Sequence, residues 1–181
     1  MKRLRAICLG ATGTGKTTLL ATMNDKRFVR VAPTVGVDFS NVVCEGVRFL
    51  CWDTSGDPKF DRIASIFTRD CCVFIYVFDL TRPETLNNAL DWYCEVKKID
   101  IGPRVHVFIG NKSDLSYQGQ YAQNTLRKYA DITYYKTSAK FPTDVERVWK
   151  SIRNDTAHLR ETSLAEMPSS PHERVECCHL Q

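Results

Sequence analysis

The sequence predicts an α/β fold: a mainly parallel sheet with helices on both faces and one antiparallel strand at its edge. Three observations carry it. A glycine-rich turn, Gly10-Ala11-Thr12-Gly13-Thr14-Gly15-Lys16-Thr17, stands between a short apolar run and a segment able to continue as helix. Two unbroken apolar runs, Cys72 to Phe78 and Val105 to Ile109, read as strands covered on both sides, as parallel strands are. Between and after them, apolar residues return at helical spacing.

Taken in order, Leu4 to Leu9 is the first strand, and Thr18-Leu19-Leu20-Ala21-Thr22-Met23 continues the glycine-rich turn as helix. Asp38 to Cys44 and Val47 to Trp52 form a hairpin closed at Glu45-Gly46, which supplies the antiparallel edge. Leu86, Ala89, Leu90 and Tyr93 line one helix face, and Thr81-Arg82-Pro83-Glu84 before them has the spacing of a capping box. Ala122, Leu126, Tyr129 and Ala130 make the next stripe, and Thr133-Tyr134-Tyr135 a last strand. Val145, Val148, Trp149, Ile152 and Leu159 make a final amphipathic helix, with Thr143 as the expected cap and Glu146 its reciprocal partner. From about residue 161 periodicity is lost and Met167-Pro168-Ser169-Ser170-Pro171 cannot continue a helix, so residues 1–160 are expected to be one domain and 161–181 a flexible tail.

At 181 residues and 43% apolar content the chain suits a single core, with no room for a second domain. Net charge is +4, from 25 Lys and Arg against 21 Asp and Glu, with the basic residues scattered, so nothing calls for nucleic acid. Met1-Lys2-Arg3-Leu4-Arg5 leads straight into the first strand, and no stretch approaches the ~20 apolar residues of a membrane span, which points to the cytosol. The eight cysteines include no C-x-x-C pair, and those of the globular part have no His at ligand spacing. The six of the globular part read as thiols in a reducing compartment.

The turn fits the phosphate-loop pattern G-x-x-x-x-G-K-[ST] at every required position; the plain alternative is an ordinary glycine-rich turn ahead of a helix. Gly10, Gly13 and Gly15 let backbone N–H groups surround an anion, and the helix N-terminus adds donors and positive dipole. Lys16 offers a charge to β- and γ-phosphates and the Thr17 hydroxyl a ligand to Mg²⁺. The base is read elsewhere. Asn111-Lys112-Ser113-Asp114 follows the Val105 strand at the edge where ligands of such sheets sit. A carboxylate there accepts from the ring N–H and exocyclic amine of guanine, a donor pair that adenine lacks. Thr137-Ser138-Ala139-Lys140, after the last strand, can bring backbone N–H groups to the guanine carbonyl.

On these residues the sequence resembles the Ras superfamily of small GTPases, and within it most resembles the Rab family, from residue 4 to about 157. Pro33-Thr34-Val35-Gly36-Val37-Asp38-Phe39 resembles the family's first switch, Trp52-Asp53-Thr54-Ser55-Gly56 its W-D-T-A-G, and Phe78-Asp79-Leu80-Thr81 its Y-D-x-T. The resemblance implies the three-layer P-loop GTPase fold, a six-stranded sheet with about five helices, and turnover of GTP to GDP and phosphate. It assigns nucleotide contacts to Gly10, Thr12, Gly13, Thr14, Gly15, Lys16, Thr17, Thr18, Phe28, Thr34, Asp53, Gly56, Asn111, Lys112, Asp114, Ser138, Ala139 and Lys140. Thr17 and Thr34 would hold Mg²⁺, with Asp53 acting through water; Gly56 would touch the γ-phosphate and Phe28 lie edge-on to guanine. Lys16, Thr34, Gly56 and the position of Asp57 form the catalytic group. Loss of the γ-phosphate would release Thr34 and Gly56 and change the partner surface. Phe39, Trp52 and Phe67 match the positions where Rabs meet effectors; the plain alternative is three core residues. The implied partners are an exchange factor, a GAP, a GDP-dissociation inhibitor and effectors, met by a monomer.

Three departures from the family stand out. Asp57 replaces the glutamine that orients the attacking water; an ionised Asp is shorter, donates nothing and sets a charge beside the phosphate, so hydrolysis should be slow. With Pro58 it has a second and favoured reading, as the cap of the second switch helix. Thr12 carries a methyl that would crowd an arginine finger. The Thr17 to Thr34 segment is one residue short and has no tyrosine after Phe28, which leaves an imperfect lid.

The chain ends Cys177-Cys178-His179-Leu180-Gln181, which resembles the Rab signal for two geranylgeranyl groups and can also be parsed as C-a-a-X. The tail carries Glu161, Glu166, Glu173 and Glu176 against Arg174 alone; without a basic cluster one lipid holds poorly, which favours two, and places the protein on the cytosolic face of a membrane. Two other readings stay open: a GTP-binding module held in the GTP state, and an ATP-using P-loop kinase, for which no arginine-bearing lid is found.

Overall fold

The computed structural model of the protein describes residues 1–99, 102–115 and 119–159. Six strands form one sheet: β1 (Lys2–Leu9), β2 (Val37–Cys44), β3 (Val47–Thr54), β4 (Val73–Asp79), β5 (Val105–Asn111) and β6 (Ile132–Lys136). Their order is β2-β3-β1-β4-β5-β6, and only the β2/β3 pair is antiparallel. Five helices connect them: α1 (Lys16–Asp25), α2 (Asp61–Thr68), α3 (Glu84–Lys97), α4 (Gly119–Leu126) and α5 (Pro142–Asp155). The α/β expectation holds, including the antiparallel edge.

Local chemistry explains most of it. β4 and β5 are buried at every position, as their unbroken apolar sequences require of strands covered twice. β2 and β6 are only partly buried, which fits their places at the two edges. Glu45 and Gly46 both take positive φ, 43° and 81°, the geometry of a two-residue hairpin turn. On one face of the sheet Leu19, Leu20 and Met23 of α1 and Val148, Trp149 and Ile152 of α5 pack on Cys8, Phe49 and Ile75. On the other, Ala64, Leu86, Tyr93 and Leu126 from α2, α3 and α4 meet Ile7, Phe74, Tyr76 and Phe108. Each large side chain so buried contributes about 1.5 to 3 kcal/mol, and this holds the strand ends in register.

Two capping expectations fail. α3 starts at Glu84 with no side-chain cap, because Thr81 Oγ1 donates instead to Asp79 Oδ1 at 2.7 Å. α5 starts at Pro142, which places Thr143 inside the helix; Phe141 precedes it without a side-chain bond, and Glu146 pairs with Lys150 at 3.3 Å. A proline at the first helical position is itself a sufficient start. The cysteines described, Cys8, Cys44, Cys51, Cys71, Cys72 and Cys94, are all free thiols, and no cluster of His, Cys, Asp or Glu at metal spacing occurs among the described residues. No helix there is long and apolar enough to cross a membrane. The tail, with Cys177 and Cys178, lies outside the described residues.

Candidate nucleotide site

Parallel registry brings the chemistry to one edge. Cys8 stands beside Asp53, and Asp79 beside Asn111, so the carboxyl ends of β1, β3, β4 and β5 open onto the same cleft of about 440 Å³. Its walls include Thr12, Gly13, Gly15, Lys16, Thr17, Thr18, Phe28, Thr34, Asn111, Lys112, Asp114, Ser138, Ala139 and Lys140, most of the residues expected from sequence.

The glycine-rich loop turns as expected, with positive φ at Gly10, Gly13 and Gly15. Two of its carbonyls are held by donors from the end of β5. Asn111 Nδ2 donates to Thr14 O at 2.8 Å and Lys112 Nζ to Gly13 O at 2.8 Å. Asn111 also accepts from Ala139 N at 3.0 Å, which ties the loop to the segment after β6. So Asn111 and Lys112 hold the loop, a role that their spacing did not reveal. Thr14, fully buried, secures its own turn by donating to Ala11 O at 2.9 Å.

Lys16 is 4% exposed and its Nζ lies 2.8 Å from Gly10 O and 3.0 Å from Ala11 O. Burial depresses its pKa to about 8, against the opposing pull of Asp53. Asp53 is itself buried; burial raises its pKa, while hydrogen bonding from Thr17 and the charge of Lys16 oppose the rise. Asp53 Oδ2 accepts from Thr17 Oγ1 at 2.5 Å and Thr34 Oγ1 at 3.3 Å, and the two hydroxyls lie 2.7 Å apart. Asp53 Oδ1 is buried with no partner among the described residues. A bare carboxylate oxygen beside two hydroxyls is an all-oxygen donor set, which fits a hard divalent cation such as Mg²⁺. Gly56 follows the cleft-lining Ser55 and packs against the loop: a Cβ on it would lie 2.2 Å from Gly10 O and 2.6 Å from Lys16 Nζ.

At the other end Asp114 Oδ1 accepts from Ser138 Oγ at 2.6 Å and Oδ2 pairs with Lys140 Nζ at 2.7 Å. Burial works to raise its pKa, but Lys140 and Ser138 prevail and hold it below the usual carboxylate value. The acid expected to read the base is therefore ionised and fixed in direction, and Phe28, 40% exposed, lines the same cleft.

Asp57 behaves as a cap. Its Oδ1 accepts from Lys59 N at 3.1 Å, at the head of a 3₁₀ turn over Pro58–Phe60 that leads into α2. Its Oδ2 pairs with Lys59 Nζ at 2.8 Å, and these bonds lower its pKa. Thr12 Oγ1 reaches across to Ser55 O at 3.3 Å. The three aromatics form one cluster: Trp52 is buried between half-buried Phe39, at 5.1 Å between ring centres, and Phe67, at 4.3 Å. Core packing and partial exposure thus coexist, in a surface continued by exposed Ile63 and Ile66.

Sequence reasoning missed Arg30, Val31, Ala32 and Leu115, which also line the cleft. Arg30 matters most. Of the cleft's four cations, Lys16, Lys112 and Lys140 are engaged by the protein, whereas Arg30 makes no hydrogen bond or ion pair among the described residues. An arginine in a short loop carries no periodic signal, so only the cleft could mark it.

Comparison with known proteins agrees with this geometry. Residues 5–158 match the sequence pattern of the Ras family. The chain is 29% identical over 98% of its length to the Ras-related protein Rab-7B of Dictyostelium discoideum, and covers 98% of that protein. It is 30% identical to the Ras-related protein RABD2a of Arabidopsis thaliana, over 94% of this chain and 86% of the relative. With the Ras-related protein Rab-27B of Homo sapiens it shares 31% identity over 82% of this chain and 77% of that one.

Proposed function

The chain belongs to the Ras family and is Rab-like, and from that premise we propose that it is a GTP/GDP-regulated switch that recruits effector proteins to a membrane during vesicle traffic. The observation that carries the proposal is the convergence on one cleft of Lys16, Thr17, Thr34 and Asp53 with Asp114, Ser138 and Lys140. One end is built for a phosphate chain and a divalent cation, the other for a base offering two adjacent donors.

The roles follow from charge and direction. The loop N–H groups and Lys16 neutralise the phosphates; Asp114, held by Ser138 and Lys140, accepts from guanine and leaves adenine unsatisfied. Thr17, Thr34 and Asp53 would hold Mg²⁺, which when bound screens the charge of the phosphate chain. Thr34 and Gly56 sense the terminal phosphate, each from the end of a loop that leads to Phe39, Trp52 and Phe67, so its loss alters the surface those aromatics present. Hydrolysis is slow, because the carboxylate of Asp57 is engaged with Lys59 and offers no amide to orient water. Cys177 and Cys178 carry the prenyl groups. Exchange factor, GAP, GDP-dissociation inhibitor and effectors are the partners of the cycle.

Titration of the purified chain with GDP, GTP and ATP in Mg²⁺, followed by single-turnover hydrolysis, tests the core of this. Micromolar or tighter guanine binding and slow phosphate release are expected; equal affinity for ATP overturns the reading. Intact mass after expression in a eukaryotic host tests the lipid, and an unmodified terminus refutes it.

A further inference from the structure

The carbonyls of Thr12, Gly13 and Thr14, consecutive in the glycine-rich loop, each receive a donor from outside it. Thr14 O takes Asn111 and Gly13 O takes Lys112; Thr12 O takes Arg82 Nη2 at 3.1 Å. The third donor comes from the β4–α3 corner, 70 residues away along the chain. We infer that Arg82 is a positioning residue for the nucleotide site, a clamp that holds the Thr12 peptide so that the inner face of the loop stays shaped for phosphate. This deepens the proposed function and rests on it.

The corner is built to aim this side chain. Arg82 N donates to Asp79 O at 2.9 Å, while Thr85 N and Thr85 Oγ1 donate to Arg82 O at 3.0 and 2.6 Å. Asp79 N donates to Thr85 Oγ1 at 2.9 Å, and Pro83 follows at once, so little backbone freedom remains. The guanidinium is then gripped from a second direction, with Nε 3.1 Å from Asp79 Oδ2. A planar fork serves both partners together, one through Nε and one through Nη2, which a lysine amine on a flexible stem cannot reproduce.

Asp79 joins the clamps into one unit. It is 1% exposed, and the oxygen that meets Arg82 also accepts from Lys112 Nζ at 2.7 Å, while its other oxygen accepts from Thr81 N and Oγ1. Burial pushes its pKa up, but the bonds from Lys112 and Thr81 prevail and hold it below the usual value. Lys112 sits at a φ of 62°, a conformation that L residues adopt reluctantly and that its two bonds stabilise. On the inner side Thr12 Oγ1 reaches Ser55 O, next to Gly56, so the grip of Arg82 extends to the segment that senses the terminal phosphate. An ordinary surface ion pair would not also donate to a loop carbonyl or sit within 3.6 Å of where a Cβ on Gly13 would stand.

The test compares Arg82→Ala and Arg82→Lys with the wild-type full chain. GDP release is followed with a fluorescent GDP analogue, and amide hydrogen exchange is measured in the GDP-bound state. Loss of a charge-assisted but half-exposed bond should speed release about fivefold to tenfold in both variants. Exchange should rise at residues 11–15 and 55–56. A wild-type release rate in Arg82→Ala, full rescue by Lys, or faster exchange confined to residues 81–86 overturns the inference while leaving guanine binding intact. A wild-type chain that fails to bind GDP overturns the proposed function and the clamp together.

Discussion

Replacing Gly15 by alanine should damage the nucleotide site through two separate effects whose sizes follow from the structure. Gly15 lies at φ 96° and ψ 25°, where an L residue costs about 1 to 2 kcal/mol. A Cβ there would stand 2.3 Å from Asn111 Nδ2, too close to tolerate. Asn111 is 1% exposed and packed at the end of β5, so its amide must leave its bonds to Thr14 O and Ala139 N. Each lost bond costs about 1 kcal/mol, and more where the buried partner finds no water. The total is about 3 to 5 kcal/mol. If half of it falls on the nucleotide-binding conformation, GDP affinity drops about tenfold to a hundredfold, since each ~1.4 kcal/mol is a factor of ten. Gly46→Ala supplies the control: it too has positive φ, 81°, but a Cβ meets nothing within 4 Å, so only the strain remains. Calorimetric titration with GDP and thermal unfolding of both variants separate the two effects. A Gly15→Ala protein that binds GDP like the wild type, or loses no more stability than Gly46→Ala, refutes the close-packing argument.

Three further outcomes are expected. Arg30→Glu places an anion where the cleft has its unengaged cation, so GDP affinity should fall about tenfold at low salt and less at 0.5 M salt; equal affinity at both salt concentrations refutes a role in phosphate recognition. Asp57→Gln should raise the single-turnover hydrolysis rate, and an unchanged rate removes Asp57 from the account of slow turnover. His106 is 3% exposed, with Tyr76 OH 3.1 Å from Nδ1, and burial lowers its pKa from 6.5 to about 4. Between those values the unfolded chain takes up a proton that the folded one refuses. Stability should therefore fall by about 3 kcal/mol as pH drops from 6.5 to 4 and change little from this source above 6.5. Urea unfolding across that range, with His106→Gln as the variant that flattens the profile, measures it; equal slopes for the two proteins rule the group out.

The parts legible in sequence were those that depend on neighbours along the chain. The apolar runs of β4 and β5, the Glu45-Gly46 turn and the glycine-rich loop all declare themselves by local pattern, and the structure has each of them. Asp57 as a cap was also legible, because Asp-Pro at a helix start is a local signal. Where the reading went wrong, a distant or stronger partner won: Asp79 drew Thr81 away from its expected cap, and Pro142 began α5 one residue before Thr143. Where it fell silent, the contact was between remote segments. Asn111 reaching Thr14, and Arg82 reaching Thr12, join residues 97 and 70 apart, and no spacing rule connects them.

The hairpin of β2 and β3 has a mechanical consequence. One end of its ladder pairs Val37 with Thr54, and just beyond it Ser55 N donates to Gly36 O at 2.9 Å. Thr34 and Gly56 are thus the two loose threads of a single zip. Tugging either one frays the same last stitches, so the two rims of the cleft cannot slacken independently, and a visitor that grasps one rim feels the tension of both.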